Sequence, residues 1–353
     1  MELWTQSRAR TFRRCRRLHF LRYEEGWRPV TSDQNLYTGT IWGLAMDAWW
    51  APAEGPEQRL ECALAAVAGK ERTEDGQIRI EEMVRVYHDR WIDDMPLFEV
   101  VEIEAQFGVP LYNPATSAAS RTWELGGKMD KLLRDARTGQ ILIGEHKTTG
   151  DALGPDSDYF PKLAMDGQVN QYYCGALGMD LEPWGVLYDV VQKTKIRPKT
   201  VNSGNVRREP YLEPIGEYEV RNAQRKGVKD LKRKQRDGET DEEWAARAPR
   251  PETMDEYRER VRQWYRDHRE TALVRRKFER TESQLLEFLR DAWQDSKACW
   301  ESKLADSHPR NPDACNDWNR RCEFWDHCAY GADLGSDPRL AKSETKHPEL
   351  EGV

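Results

Sequence analysis

The sequence predicts a mixed α/β fold, in which a central sheet is flanked by helices. Apolar and polar residues alternate in several short segments, as is typical of half-buried strands. These predicted strands are 99–108, the two arms of a hairpin at 125–149, and 184–194. Predicted helices lie before and between the strands, at 7–23, 36–50, 58–68, 80–93 and 166–179. Helices and strands in this order indicate one mixed sheet in the middle of the chain.

The first predicted helix, 7–23, lacks glycine and proline and carries a run of basic residues. Its arginines are Arg8, Arg10, Arg13, Arg14, Arg16, Arg17 and Arg22. Phe12, Phe20 and Tyr23 are interleaved with them. Two interpretations stay open, a surface that contacts nucleic acid and a solvated helix face. The net charge of −7 gives no global signature of a nucleic-acid binder, but it does not exclude one.

The next elements follow from their hydrophobic periods. In the helix 36–50, an apolar stripe with a period of 3.6 residues is formed by Ile41, Leu44, Ala45 and Ala48. In the strand 99–108, the predicted buried face consists of Val101, Ile103, Ala105 and Phe107. Its opposite face is formed by Glu102, Glu104 and Gln106. This polar face either borders a metal site or faces water.

The hairpin 125–149 turns at Asp135-Ala136-Arg137-Thr138-Gly139, where the glycine supplies a positive φ. If the loop is 136–139, residue 135 faces residue 140, and Asp130 therefore falls opposite Glu145. Side chains alternate along a strand, so Lys147 shares the face of Glu145. Two carboxylates and an amine are thus predicted to converge.

This convergence suits phosphodiester hydrolysis. Two facing carboxylates hold a hard divalent cation such as Mg²⁺, which lowers the pKa of bound water and stabilises charge on the transition state. The lysine would orient or deprotonate the attacking water, or offset charge at the phosphate. The alternative is an ordinary surface salt bridge at the strand ends, which needs no function.

The second half of the chain has a different composition, because charged residues dominate from about residue 211 to residue 303. Long helices are predicted at 256–271 and 274–300, and a basic cluster lies at 225–236. This region is either a helical arm beside a nucleic-acid channel or a solvent-facing insertion.

Three of the seven cysteines lie close together near the end of the sequence. They are Cys315, Cys322 and Cys328. Thiols grouped in this way imply a soft metal or an iron–sulfur cluster. A cluster usually takes four thiolates, and Cys15 is the predicted fourth, because the other cysteines lie in apolar helical contexts. Zinc with His308 or His327 as a ligand is the alternative.

The chain resembles the RecB-type nucleases of the PD-(D/E)XK superfamily, which share a D, E-x-K and Q-x-x-x-Y series. Here the series reads Asp130, Glu145-His146-Lys147 and Gln168 to Tyr172. One early and three late cysteines are similar to the iron–sulfur branch, which includes AddB-type domains, CRISPR-associated iron–sulfur exonucleases and phage proteins. The resemblance covers roughly residues 7–200 and 310–330. It implies a restriction-endonuclease-like sheet with a helical insertion and a C-terminal iron–sulfur segment.

By that resemblance, Asp130 and Glu145 would bind Mg²⁺ or Mn²⁺ together with the backbone carbonyl of His146. Lys147 would be the catalytic lysine. Supporting or DNA-contacting roles would fall to Gln168 and Tyr172. A 4Fe–4S cluster with a mainly structural role would be held by Cys15, Cys315, Cys322 and Cys328.

Two features depart from the family pattern. The family helix G-x-x-x-H-x-x-x-E begins here at Gly39, with Gly43 at the position of the histidine and Asp47 at that of the acid. One metal ligand of the family is therefore expected to be missing. In addition, six residues separate Cys315 from Cys322, a longer gap than in many relatives.

The sequence therefore predicts a metal-dependent DNA nuclease, an exonuclease or single-strand nuclease acting on single strands or duplex ends. The resemblance implies DNA repair, recombination or phage DNA metabolism as the setting. No helicase P-loop is present, so strand separation would need a helicase or recombination partner, and an oligomer stays open. The alternatives are a catalytically impaired nucleic-acid-binding protein of the same fold and a zinc-binding structural or assembly factor.

The predicted organisation has five parts. They are an N-terminal helix with the first cluster cysteine (1–30), a nuclease core (31–200), a charged helical region (201–305), an iron–sulfur segment (306–335) and a tail (336–353). No apolar run approaches the roughly 20 residues that span a bilayer, and no signal peptide is recognised. We therefore expect a cytoplasmic protein with no membrane partner, in the host cytoplasm if a phage encodes it.

Overall fold

The computed structural model of the protein describes residues 1–31, 34–201, 238, 240, 242–243, 250–317 and 320–351. Its strands are β1 (Glu2–Trp4), β2 (Trp27–Pro29), β3 (Phe98–Tyr112), β4 (Ala119–Asp135), β5 (Ile141–Thr149), β6 (Pro183–Gln192), β7 (Thr200–Val201), β8 (Arg250–Pro251), β9 (Leu273–Phe278), β10 (Asn316–Asp317), β11 (Arg320–Arg321) and β12 (Leu340–Lys342). Its helices are α1 (Gln6–Arg14), α2 (Arg16–His19), α3 (Gln34–Trp50), α4 (Pro56–Val67), α5 (Glu74–Trp91), α6 (Tyr159–Leu163), α7 (Gly167–Gly178), α8 (Met254–Asp267), α9 (Arg269–Ala272), α10 (Glu282–Leu304) and α11 (Trp325–Tyr330).

Strand β4 organises the main sheet of the described chain, which has six strands. One edge of β4 pairs antiparallel with β3. Its other edge pairs in parallel with β1 as far as Leu125 and antiparallel with β5 from Lys131 onward. Strand β6 runs parallel to β5, and β9 runs antiparallel to β6. The fold is therefore a mixed α/β sheet with flanking helices, as predicted.

The two faces of this sheet carry different helices. Helices α1, α7 and α10 pack on one face, here called the α7 face. Helices α3, α4, α5 and α8 pack on the other, here called the α3 face. Three tryptophans of α3, Trp42, Trp49 and Trp50, are at most 1% exposed. Burying such large apolar side chains contributes about 1.5–3 kcal/mol each, which fixes α3 against the sheet.

The hairpin formed by β4 and β5 has the predicted register. Lys131 lies opposite Gly144, and the Asp135 N–H donates to the Gln140 carbonyl at 2.9 Å. Gly139 closes the turn with a φ of 74°, which an L side chain rarely adopts. Asp130 consequently falls opposite Glu145, one position beyond the last paired residues.

The strand prediction for 99–108 is wrong at one position. Val101 is 42% exposed because the pairing of β3 with β4 shifts between Val100 and Glu102. Two positions after Glu102, Glu104 has a φ of 57°, an uncommon conformation for a residue other than glycine. A β-bulge of this kind redirects side chains, so the alternation in the sequence does not hold across it.

Two helix predictions also need correction. The helix predicted over 7–23 breaks at Cys15, whose extended backbone (φ −164°, ψ 120°) separates α1 from α2. The segment 274–278 is strand rather than helix. Strand β9 takes the free edge of β6, where Arg275 forms an ion pair with Asp189, and α10 starts only at Glu282. Tertiary pairing overrides local propensity here. The predicted basic cluster 225–236 lies outside the described residues.

Much of the N-terminal arginine run forms ion pairs with distant parts of the chain. Arg8 is fully buried and contacts Glu2 and Glu24, each at 2.8 Å. Further pairs join Arg10 to Asp166, Arg13 to Asp295, Arg14 to Asp317 and Arg22 to Glu323. These pairs hold the N-terminal helices against the later segments, so much of the run is structural. None of the described helices is long and apolar enough to cross a membrane.

Candidate active site

Two predicted site residues of β5, Glu145 and Lys147, lie on the α7 face. Glu145 is 1% exposed, and its Oε1 accepts hydrogen bonds from Lys147 Nζ and, at 3.0 Å, from Gln168 Nε2. Its second oxygen, Oε2, is buried and has no hydrogen-bond partner among the described residues. A buried carboxylate oxygen without a partner is costly, and a bound cation would satisfy it.

Asp130 joins this group from β4. Its Oδ2 accepts a hydrogen bond of 2.6 Å from the backbone N–H of His146, across the gap where the β4–β5 pairing has ended. The pKa of Glu145 is raised to about 7, first by burial and then by the negative charge of Asp130. A buried carboxyl whose ionisation is opposed by a neighbouring carboxylate is a suitable site for a divalent cation.

Helix α7 ties the two strands together behind the carboxylates. Asp166 caps the helix, because its side chain accepts from the Gln168 N–H at 2.9 Å. Gln168 and Tyr172 lie one turn apart, and Gln168 Nε2 donates to the Tyr172 hydroxyl at 2.6 Å. That hydroxyl donates to the Lys128 carbonyl of β4 at 2.9 Å. The chain from Lys128 through Tyr172 and Gln168 to Glu145 thus bridges the open cleft between β4 and β5.

Helix α3 brings a further carboxylate to the cleft. The pKa of Asp47 is raised to about 7 by burial and then by the charges of Glu104 and Asp130. Among the described residues, a Cβ placed on Gly43 would meet no atom within 4 Å. The position of the family histidine is therefore open space, one helical turn from Asp47. Asp47 was not among the predicted metal ligands. Its spacing of four residues from Gly43 matches the family motif and could have identified it.

The side chain of His146 points away from the carboxylates into a buried polar network on the α3 face. Its Nε2 lies 2.7 Å from Lys131 Nζ, and Lys131 is 1% exposed. Burial, and then the charge of Lys131, hold the pKa of His146 well below its usual value, so the neutral ring accepts a hydrogen bond from the lysine. Asp189 lies 3.9 Å from Lys131 and accepts a hydrogen bond of 2.8 Å from Tyr87. Of the groups of His146, only the backbone carbonyl is therefore left as a candidate metal ligand.

No three His, Cys, Asp or Glu side chains within the described ranges converge closely enough to hold one metal ion. At the candidate site, the carboxylates that could act as donors are those of Asp130 and Glu145, and Asp47 is near enough to interact electrostatically with Asp130. The other positions around a hard cation would be filled by a backbone carbonyl, water or substrate oxygens, as is common for Mg²⁺.

The four predicted cluster cysteines line one cavity of about 590 Å³. They are Cys15, Cys315, Cys322 and Cys328, and all are free thiols. The Asn311 N–H donates to the Cys15 sulfur at 3.4 Å, and burial raises the pKa of Cys322 to about 11. His308 also lines the cavity, whereas His327 contacts the Ala332 carbonyl at 2.9 Å. Of the other cysteines, Cys62 is exposed, contrary to the apolar context predicted for it.

In the mixed sheet, β4 and β5 no longer pair beyond Lys131 and Gly144, and there they carry two carboxylates and a lysine. This arrangement is consistent with a restriction-endonuclease-like fold. The family model for the PD-(D/E)XK nuclease superfamily matches residues 3–329. The chain therefore belongs to the PD-(D/E)XK nuclease superfamily, whose members are typically nucleases. No curated protein matches the chain. The family match identifies the superfamily but not a branch within it. Assignment to the RecB-type nucleases or to the iron–sulfur branch therefore stays a prediction.

Proposed function

We propose that the protein is a metal-dependent DNA nuclease, of exonuclease or single-strand type. The observation that carries this proposal is the buried Oε2 of Glu145, which has no partner among the described residues and lies in a group with Asp130 and Lys147. Membership of the superfamily supports a nuclease. The choice of DNA, and a role in repair, recombination or phage DNA metabolism, belong to the proposal.

Asp130 and Glu145, with the carbonyl of His146, would hold Mg²⁺ or Mn²⁺. The residues fit such an ion, since their donors are hard oxygens and the two carboxylates repel each other without a cation. When bound, the ion would lower the pKa of a water ligand and stabilise charge on the phosphoryl group.

Lys147 would act on the attacking water and the phosphate. Its side chain is 34% exposed, so it is accessible from the cleft. Although burial opposes ionisation, the charges of Glu145 and Asp130 raise the pKa of Lys147. In the metal-free protein it is therefore an ammonium group, which orients water and offsets negative charge. A cation that neutralised the carboxylates would remove part of this effect and bring the amine closer to acting as a base.

The thiols that line the 590 Å³ cavity would hold a 4Fe–4S cluster. Four free thiols facing one cavity fit a cluster with several iron atoms. A zinc ion with His308 as a ligand is the alternative, since His308 lines the same cavity. Since Cys15 lies between β1 and β3 near the start of the chain and the other three cysteines follow β9, the cluster would fasten the two ends of the fold. Its role would be mainly structural.

Cleavage assays with metal-stripped protein test the proposed function. We expect labelled single-stranded DNA, or the ends of a duplex, to be degraded with Mn²⁺ or Mg²⁺ and to survive in EDTA. Equal degradation in EDTA would contradict a metal-dependent mechanism. If the protein binds the DNA but cleaves it with neither Mn²⁺ nor Mg²⁺, the result would support the alternative, a catalytically impaired nucleic-acid-binding protein. A colourless, zinc-containing preparation would support the assembly factor.

The empty position at Gly43 yields a gain-of-ligand prediction. Gly43→His should tighten Mn²⁺ binding by about tenfold, because it adds an imidazole beside Asp47 in space that holds no described atom. Titration of Mn²⁺ followed by electron paramagnetic resonance measures the change. Gly39→His is the matched control, because Gly39 lies one turn earlier on the same open helix face and its substitution brings the same gain in helix propensity. Equal effects of both substitutions would rule out a ligand role at position 43.

A further inference from the structure

A second lysine, Lys131 of β4, lies against β5 on the α3 face of the sheet. Its side chain is 1% exposed and crosses β5 at Gly144, where a Cβ would come within 2.5 Å of Lys131 Cγ and Cε. Its Nζ then reaches the ring of His146, whose Nε2 lies 2.7 Å away. Gly144 and His146 are the two neighbours of Glu145 in β5. The lysine side chain therefore contacts β5 on both sides of Glu145, from the face opposite to the carboxylate.

The groups that contact Lys131 on the α3 face offset little of its positive charge. Its hydrogen-bond partner is the neutral ring of His146. The indole ring of Trp50, whose centroid lies 4.4 Å from Lys131 Nζ, makes a cation–π contact but carries no charge. Asp189 is negatively charged, but its Oδ2 lies 3.9 Å from Nζ, beyond hydrogen-bond distance.

Asp189 is also shared with another buried cation. Its carboxylate accepts hydrogen bonds from Arg275 Nε and, at 3.2 Å, from Arg275 Nη2, and one of 2.8 Å from the Tyr87 hydroxyl. The Arg275 side chain is 9% exposed, whereas Asp94, its other carboxylate partner, is 39% exposed. Among the described residues of this network, the buried groups therefore carry two positive charges against one negative charge. Such an excess is costly unless negative charge nearby offsets it.

The carboxylates of the candidate metal site supply negative charge close to this network. Asp130 precedes Lys131 in β4, and both Asp130 and Glu145 interact electrostatically with the Lys131 ammonium group. The same ammonium group also interacts with Asp47 of α3. On the α7 face, Lys147 contacts Glu145 directly. The two carboxylates of β4 and β5 and the two lysines therefore sum to no net charge when all four are ionised.

We propose that Lys131 is an affinity-determining residue of the metal site, a buried ammonium group whose charge weakens the binding of the divalent cation. The inference rests on the metal-dependent function proposed above and adds a residue that sets the metal concentration at which the site fills. A cation held by Asp130 and Glu145 would compete with Lys131 for the same negative charges. Because the lysine is buried, salt screens this repulsion less than it would between surface groups.

Removal of the charge tests the proposal. Lys131→Met keeps most of the buried stem but not the ammonium group, and we expect it to tighten Mn²⁺ binding about tenfold in the absence of DNA. The dissociation constant is measured from the electron paramagnetic resonance signal of free Mn²⁺. The Mn²⁺ concentration that gives half-maximal cleavage should fall by a similar factor. A merely structural role of the lysine predicts the opposite sign, because damaged packing around Glu145 would weaken the binding of the ion.

Further measurements keep the test decisive. Lys297→Met is the control for the lost charge, because it removes an ammonium group that is 62% exposed on α10 and should leave the dissociation constant unchanged. The tightening in Lys131→Met should persist at about 0.5 M KCl, where surface charges are largely screened. If Lys131→Met does not fold, Lys131→Gln takes its place, since its amide is neutral and keeps a donor for His146.

A failure of the nuclease function can be told apart from a failure of this inference. An unchanged or weaker affinity for Mn²⁺ in a folded Lys131 variant would overturn the inference, even if the wild type cleaves DNA with Mn²⁺. Tighter binding in the variant would support it even if neither protein cleaves DNA, and only the nuclease function would then be rejected. If neither protein binds Mn²⁺, both the metal site and the role of Lys131 are rejected.

Discussion

Glu145→Gln is expected to abolish metal-dependent cleavage, with a loss of rate on the order of 10³-fold, equivalent to about 4 kcal/mol of transition-state stabilisation. The substitution keeps the shape of the side chain and its acceptor oxygen, which Gln168 and Lys147 contact. It removes the charge that would hold the cation. Single-turnover cleavage of labelled DNA, measured at saturating Mn²⁺, gives the rate. Glu102→Gln is the control, since it makes the same chemical change on the exposed face of β3.

The same variant separates a catalytic role from a structural one through its pH dependence. In the folded protein the pKa of Glu145 is about 7, above its ordinary value of 4.5. The folded state therefore binds this proton more tightly than the unfolded state, and stability falls as pH rises from about 4.5 to 7. In EDTA, the wild type should lose about 3 kcal/mol more than Glu145→Gln between pH 4.5 and pH 8. A variant that is inactive because it is unfolded would instead be less stable at both pH values.

Cys15→Ser is expected to have the second large effect, a loss of the iron–sulfur cluster together with much of the stability. The thiol lies at the break between α1 and α2 and lines the same cavity as the three late cysteines. Because the free energy of ligand binding is also folding free energy, we expect the free energy of unfolding to fall by about 3 kcal/mol or more. Iron content, the visible absorbance of anaerobically purified protein and urea denaturation measure the loss.

Cys62→Ser is the matched control for this prediction. Cys62 is exposed on α4 and does not line the cavity, so its replacement should leave iron content and stability unchanged. Wild-type protein that is purified without oxygen and contains no iron would contradict the cluster. Full retention of iron in Cys15→Ser would remove this residue from the ligand set.

The sequence predicted the hairpin well because its information is local. A turn closed by Gly139 sets the register of the two arms, and side chains alternate between the two faces of a strand. Together these two features fix which residues face each other. The pair Asp130 and Glu145 follows from that register. The i, i+4 spacing of Gln168 and Tyr172 likewise places both on one side of α7.

Other features depend on contacts that the sequence does not display. The pairing of β9 with β6 is a tertiary choice, and the bulge that exposes Val101 leaves no pattern of its own. The buried pair of Lys131 and His146 was missed because a lysine in a strand normally indicates an exposed position. Asp47 lies on α3, far from Asp130 in the sequence, so its electrostatic interaction with Asp130 could be seen only in the fold.

Locating Mn²⁺ by anomalous scattering in crystals of the wild-type protein is the most direct test of a shared metal site. We predict one strong peak in contact with Glu145 Oε2 and Asp130, at about the 2.1 Å oxygen–metal distance of small divalent ions. If the cleft shows no peak at saturating Mn²⁺, with both carboxylates well ordered, the protein does not bind metal where the proposed hydrolysis requires it.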